Sequence, residues 1–271
     1  MSAQGEAYGR KGLESRMQTK WAGHPVIYHD VTDSTNLQAK LEAENGAPHG
    51  ALVAADMQTA GRGRRGRSWS SPPGANVYFT LILKPELAPD KASMLTPVMA
   101  LAVAEGIRQC CGIETMIKWL NDIVIGGKKV CGILAEMGVE RDLIRYVVIG
   151  AGINVGLQEF PSEVADVAAC LQAECGHSVS RAELVAAVMG AFERYYEVFL
   201  ERGDLSGLIE RYNELLVNTD SEVRVLDPSG EFQGISRGVN TRGELRVERE
   251  DGSEVLVYAG EVSVRGIYGY V

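Results

Sequence analysis

The chain has 271 residues, 45% hydrophobic and 23% charged, enough to bury one large core and a small second one. Its formal net charge of -9 argues against the broad basic face of a general nucleic-acid binder, and no run of about 18 apolar residues exists to span a membrane. Five cysteines without a CxxC pair (Cys110, Cys111, Cys131, Cys170, Cys175) argue against a disulfide framework and suit a cytoplasmic protein, and residues 1–20 lack the apolar core of a signal peptide.

Residues 1–24 read as a polar arm or one short helix, too few for a helix-turn-helix domain. Val26 to His29 reads as a strand, and Asp33-Ser34-Thr35-Asn36 as a polar turn capping a helix toward Glu44. A second strand, Gly50 to Met57, leads into Gly61-Arg62-Gly63-Arg64-Arg65-Gly66-Arg67, and the alternating Asn76 to Leu83 is a third. Leu95, Val98, Met99, Leu101, Ala102 and Ile107 recur at three- and four-residue spacing, which predicts a helix over 91–111 with one side on a sheet. Strands follow at Met116 to Trp119, Ile123 to Ile125, Val130 to Met137 and Tyr146 to Val155, with a Gly126-Gly127 hairpin between the second and third. Helices are expected at 181–200 and 205–215. From about Ser221, short β runs every eight to ten residues, broken at 227–230, 241–243 and 251–252, predict a small five-stranded barrel leaning on the larger unit. The expected division is an arm (1–24), a catalytic domain (25–219) and a barrel (220–271).

Glycines let a backbone close around an anion and arginines neutralise it, so the Arg62 to Arg67 loop points to a phosphorylated ligand. A solvated basic loop has the same composition. Two charges about 6 Å apart repel by roughly 3 kcal/mol at an effective dielectric near 20, so the loop is expected to order around an anion. Lys118-Trp119-Leu120-Asn121-Asp122 joins two strands, pairing a point charge for phosphate with a carboxylate able to take Mg²⁺ or an amine; Asn-Asp is also a common turn. Gly126 to Glu136 lacks the GxxxxGK[ST] spacing and opens a strand, so a P-loop reading fails, while Lys129 and Gly132 remain candidate site residues. Gly150-Ala151-Gly152-Ile153-Asn154 is weak for a dinucleotide and also fits a bulge. The four histidines show no metal spacing, and His29 and Asp33 read as surface or capping residues.

In this order the motifs resemble the biotin protein ligase family, most specifically through Gly61 to Trp69, with Asp33 to Asn36 and Lys118 to Asp122 in support. The resemblance implies an α+β fold: a mixed central sheet with flanking helices, of the class II synthetase-like, lipoate/biotin ligase type, plus a C-terminal SH3-like barrel. It implies that Ser34, Thr35, Asn36 and Gln58 line a biotin pocket, and that Gly61, Arg62, Gly63 and Arg64 close over the biotin tail and α-phosphate. Lys129, with Gly132, meets the carboxylate; Arg67, Trp69, Asn121 and Asn154 surround ATP, Trp69 on the adenine and Asn154 at its edge. Lys118 holds phosphate and Asp122 receives the incoming lysine, so Arg64, Lys118, Asp122 and Lys129 are the expected catalytic set, with no protein-held metal.

The implied activity is ATP- and Mg²⁺-dependent activation of biotin as biotinyl-5′-AMP, then transfer to a lysine of a biotin carboxyl carrier protein. A homodimer occurs in the family. Two departures stand out: the family's usual proline is Leu120 here, expected to loosen that turn, and the DNA-binding domain of longer members is missing, which implies a monofunctional type without a DNA partner. The alternatives are a lipoate-protein ligase, a biotin-responsive nucleic-acid-binding regulator and a noncatalytic biotin-binding module.

Overall fold

The computed structural model describes residues 8–227, 230–258, 263–266 and 270–271. Residues 1–7 of the arm, and Pro228 and Ser229 of the expected turn at 227–230, lie outside them. The arm contains one short helix, α1 (Arg10–Arg16). Strands β1 (Val26–Thr32), β2 (Leu52–Gln58), β3 (Val77–Leu83), β4 (Met116–Lys118), β5 (Asp122–Ile125), β6 (Lys128–Glu140) and β7 (Leu143–Ile153) form one sheet in the order β1-β2-β3-β7-β6-β5-β4. Only β1 and β2 run parallel, so the sheet is mixed.

Strand alternation gives this sheet two apolar faces. Leu52, Ala54, Leu81, Leu83, Val147 and Ile149 join a large core with α3 (Leu95–Cys111) and α5 (Arg181–Arg202). Their neighbours Val53, Ile82 and Val148 pack with Ala39 and Ala43 of α2 (Thr35–Glu44). The molecule is thus layered, with α3 and α5 on one side of the sheet and α2 on the other. Burying residues such as Leu95, Leu101 and Ile107 on α3 contributes about 2 kcal/mol each.

The helix expected over 91–111 begins instead at Leu95, preceded by a 3₁₀ segment, Pro89–Met94. Pro97 explains the difference: it has no N–H and is tolerated in a helix's first turn but not its interior. Two short helices complete this unit, α4 (Leu171–Cys175) and α6 (Ile209–Leu215), the latter starting four residues later than expected.

Strands β8 (Glu222–Leu226), β9 (Phe232–Val239), β10 (Leu245–Glu248), β11 (Glu254–Val257) and β12 (Ser263–Gly266) form a five-stranded antiparallel sheet, the small β domain anticipated after residue 220. Val223, Val225, Leu245 and Val247 belong to the same core as α3. Polar bonds fix the contact: Trp119 donates to the Gly243 carbonyl at 3.1 Å, and Asn213 pairs with both backbone groups of Val239 at 2.8 and 2.9 Å. The turn at Leu120 is therefore not loose. Trp119 and Leu120 are buried, the peptide bond between them is cis, and Tyr212 donates to the Leu120 carbonyl at 3.4 Å.

Candidate active site

Two rows of residues cross the sheet on the α2 side. In the first, Lys118 lies opposite Asp122, Asp122 opposite Gly132, Gly132 opposite Gly152, and Gly152 opposite Tyr78. A four-residue separation in sequence becomes a facing pair because β4 and β5 form a tight hairpin. In the second row, Leu134 lies opposite Gly150 and Gly150 opposite Thr80. The glycines leave bare backbone on which other groups lie. A Cβ at Gly152 would stand 2.5 Å from the Trp69 indole nitrogen, and one at Gly150 only 1.9 Å from Asn36 Oδ1.

The expected biotin residues cluster over the second row. The Asp33 carboxylate accepts from the Ser34 amide (2.5 Å) and Gln38 (2.9 Å), which leaves the buried Ser34 hydroxyl free of helix capping. Asp33 is held below the usual carboxylate range, chiefly by the bond from Gln38. Thr80 donates to Asn36 Oδ1 (2.7 Å), and Asn36 Nδ2 donates to the Leu134 carbonyl (3.2 Å) and to Glu136 (2.9 Å). Gln58 accepts from the Thr35 amide (2.9 Å) and donates to Ser71 (2.8 Å). Burial pushes Glu136 up, but its bonds from Lys40 and Asn36 outweigh that and hold its carboxyl low. Neutral donors and acceptors are thus fixed in orientation, as recognition of a neutral polar ring requires.

The charged centre occupies the end of the first row. A register shift between Ile123 and Val124 brings the Lys129 side chain back across Gly132, where its ammonium lies 2.6 Å from Asp122 Oδ1. That contact has ion-pair distance without hydrogen-bond angles, so Oδ1 is buried with a lone pair unfilled. Asp122 Oδ2 accepts a hydrogen bond from the Tyr270 phenol, and the ammonium of Lys118 sits 3.5 Å from the centre of that ring. Lys118 is 5% exposed. Burial pushes its ammonium down from the usual 10.5 to about 8; Asp122 opposes the shift, while Lys129, Arg265 and Arg67 add to it.

The arginine loop carries its own backbone frame: Arg62 bridges Ser68, the Gly63 amide donates to the Arg67 carbonyl at 2.7 Å, and the Trp69 amide donates to the Gly61 carbonyl at 2.9 Å. Arg64 reaches inward to Asn121 Oδ1 at 3.0 Å, tying the loop to the Lys118 to Asp122 hairpin. Arg62 and Arg67 are exposed. Ser34, Thr35, Asn36, Gln58, Arg62, Gly63, Arg64, Trp69, Asn121, Lys129 and Gly132 line one cleft. Gly61, Arg67, Lys118, Asp122 and Asn154 are outside its lining. Asn154 instead donates to the Ala169 carbonyl at 3.1 Å, pinning the segment whose Val167 carbonyl takes the Lys129 amide at 2.7 Å. A larger cavity of about 590 Å³ adjoins the cleft, sharing Arg64, Ile133 and Leu134 and extending to Met137 and Tyr258.

Sequence reasoning missed Tyr270, Thr80, Glu136 and Arg265. Tyr270 meets Asp122 across 148 residues, and no local pattern encodes that contact. The signal available for Thr80 was Gly150, which with Gly152 on alternate positions of one strand implies that something lies on the sheet.

Residues 28–154 match the biotin/lipoate A/B protein ligase family, and residues 220–265 match the biotin protein ligase C terminal domain. The chain is 40% identical over 252 residues to the bifunctional ligase/repressor BirA of Bacillus subtilis, covering 92% of this chain and 76% of that protein. It is 31% identical over 230 residues to the biotin–[acetyl-CoA-carboxylase] ligase of Paracoccus denitrificans, covering 83% and 95%. The biotin protein ligase from Aquifex aeolicus in complex with biotin and ATP has the same fold, with a TM-score of 0.78 and 28% identity over 90% of this chain and 99% of that one. By these matches, across both sheets and the cleft between α2 and the arginine loop, the chain belongs to the biotin protein ligase family.

Proposed function

We propose that this chain joins biotin to a lysine of a carboxyl carrier domain in two steps. First a biotin carboxylate oxygen attacks the α-phosphorus of ATP, the bond to pyrophosphate breaks, and biotinyl-5′-AMP forms. Then the lysine nitrogen attacks the acyl carbon, the bond to AMP breaks, and the amine gives up a proton. The observation that carries this reading is the cross-sheet pair Lys118 and Asp122, with the Lys129 ammonium 2.6 Å from Asp122, beside a cleft of fixed neutral polar groups.

Each group has a part. Thr35, Asn36 and Gln58 orient the ureido ring; Lys129, Lys118 and Arg64 offset the repulsion between carboxylate and phosphate. Asp122 takes the amine and its proton. Mg²⁺ would be carried on the nucleotide phosphates, with Asp122 as the nearby carboxylate. The bound ion supplies charge neutralisation on those phosphates.

Exposed Met137, Val139 and Leu143 on β6 and β7 support pairing with a second copy, which sedimentation tests. Five free cysteines support a cytoplasmic location. The deciding experiment supplies ATP, carrier domain and either biotin or lipoate: pyrophosphate release and a carrier mass shift with biotin support the proposal, and a shift with lipoate alone overturns it.

A further inference from the structure

Tyr270 occupies a place in the reaction centre that the proposed chemistry leaves unassigned. Its phenol donates to Asp122 Oδ2, and its ring takes the Lys118 ammonium at 3.5 Å. The other carboxylate oxygen is closed off: Oδ1 is buried beside Lys129. Tyr270 therefore covers the oxygen of Asp122 through which an incoming donor would be received.

Its position is built into the fold. The next residue, Val271, folds back against β12 so closely that a Cβ at Gly266 would stand 2.0 Å from the Val271 carbonyl oxygen. A Cβ at Gly127, in the turn between β5 and β6, would lie 3.3 Å from the Val271 side chain. A residue without a side chain at 266 is thus required for the segment to seat as it does.

We infer that Tyr270 is the specificity-determining residue of the transfer step, keeping water off Asp122 and yielding its place there to a cationic amine. The inference rests on the reading of Asp122 as the acceptor of the lysine. Water and a phenol are both neutral donors to a carboxylate, so water exchanges with Tyr270 at no net gain. A lysine ammonium makes a charge-assisted bond roughly twice as strong and displaces the phenol before losing its proton. Burial first, and then Asp122, raises the phenol's proton affinity, so Tyr270 stays a neutral donor. Without the hydroxyl, Oδ2 is open to water, which gives a proton to Asp122 as its oxygen attacks the acyl carbon of the adenylate. The bond to AMP then breaks, giving free biotin and AMP.

The test is a partition experiment on enzyme loaded with biotinyl-5′-AMP and chased with carrier domain, counting free biotin against biotinylated carrier. Tyr270→Phe keeps the ring on Lys118 and removes the hydroxyl; Gly266→Ala displaces the segment and leaves the phenol itself intact. Both are expected to raise the ratio of free biotin to biotinyl carrier about fivefold or more, the scale of losing one hydrogen bond at a carboxylate. Asp122→Asn is the control. If it transfers biotin like wild type, the reading of Asp122 fails and the inference falls with it. If it cripples transfer while Tyr270→Phe and Gly266→Ala partition like wild type, the role of Tyr270 alone is refuted.

Discussion

Raising the pH through 8 is expected to remove the proton from Lys118, and with it the charge that we propose is held for the nucleotide. Burial brings this ammonium down from 10.5 to about 8, with Lys129, Arg265 and Arg67 assisting and Asp122 opposing. At about 1.4 kcal/mol per tenfold in proton affinity, the structure disfavours the charged form by about 3 kcal/mol relative to water. In the free enzyme the protonated fraction is about one half near pH 8 and falls roughly tenfold per unit above it. The kcat/KM for ATP, read as pyrophosphate release with saturating biotin, should follow that fraction downward. The kcat should hold to higher pH, because bound phosphate restores the proton. Lys118→Arg, a group that keeps its charge, should flatten the kcat/KM profile even if its absolute value drops. A kcat/KM that stays level to about pH 9.5, or a fall of equal steepness in Lys118→Arg, refutes the reasoning. Stability moves the opposite way: the folded state binds this proton less tightly than the unfolded state, so this contribution to stability rises between about pH 8 and 10.5.

Three further outcomes are expected. Arg64→Ala removes the 3.0 Å bond to Asn121 and should lower kcat/KM for adenylation by about 100-fold while releasing free biotinyl-5′-AMP, measured in solution. Gly152→Val drives a side chain into the Trp69 indole and should weaken ATP binding by at least about tenfold in calorimetry, with overpacking as the cause. Glu193 accepts from the backbone amides of Lys20, Trp21 and Ala22 at 2.9 to 3.1 Å; Glu193→Ala should lower stability by about 3 kcal/mol in urea melts. Burial raises the Glu193 carboxyl but those three amides hold it low overall, so its support is present above the usual glutamate range and is lost as pH falls through the depressed value.

Much of the fold was legible because its determinants are local. The apolar run Val77 to Leu83 and the three- and four-residue spacing in Leu95 to Ile107 report a strand and a helix, although both prove buried nearly all round rather than on one side. The error at the start of α3 had a local cause too, since Pro97 forbids a helix interior at that point. Lys118 and Asp122 were legible as a pair because a tight hairpin turns spacing into proximity. The placement of Trp69 over Gly132 and Gly152, and of Tyr270 on Asp122, depends on contacts between distant segments. The buried Asn154, expected at an adenine edge, turns its amide to the Ala169 carbonyl, a partner visible only after the chain has folded.

The three glycines beneath the cleft bear on any attempt to widen its substrate range. At Gly132, Gly150 and Gly152 the floor is already bare main chain, so no substitution there creates room. Extra space for a bulkier acid has to come from the wall at Asn36, which lies on Gly150, and space for a bulkier base from Trp69, which lies on Gly132 and Gly152. Variants that accept larger acids are therefore expected to carry changes at position 36 first, with the strands beneath left as they are.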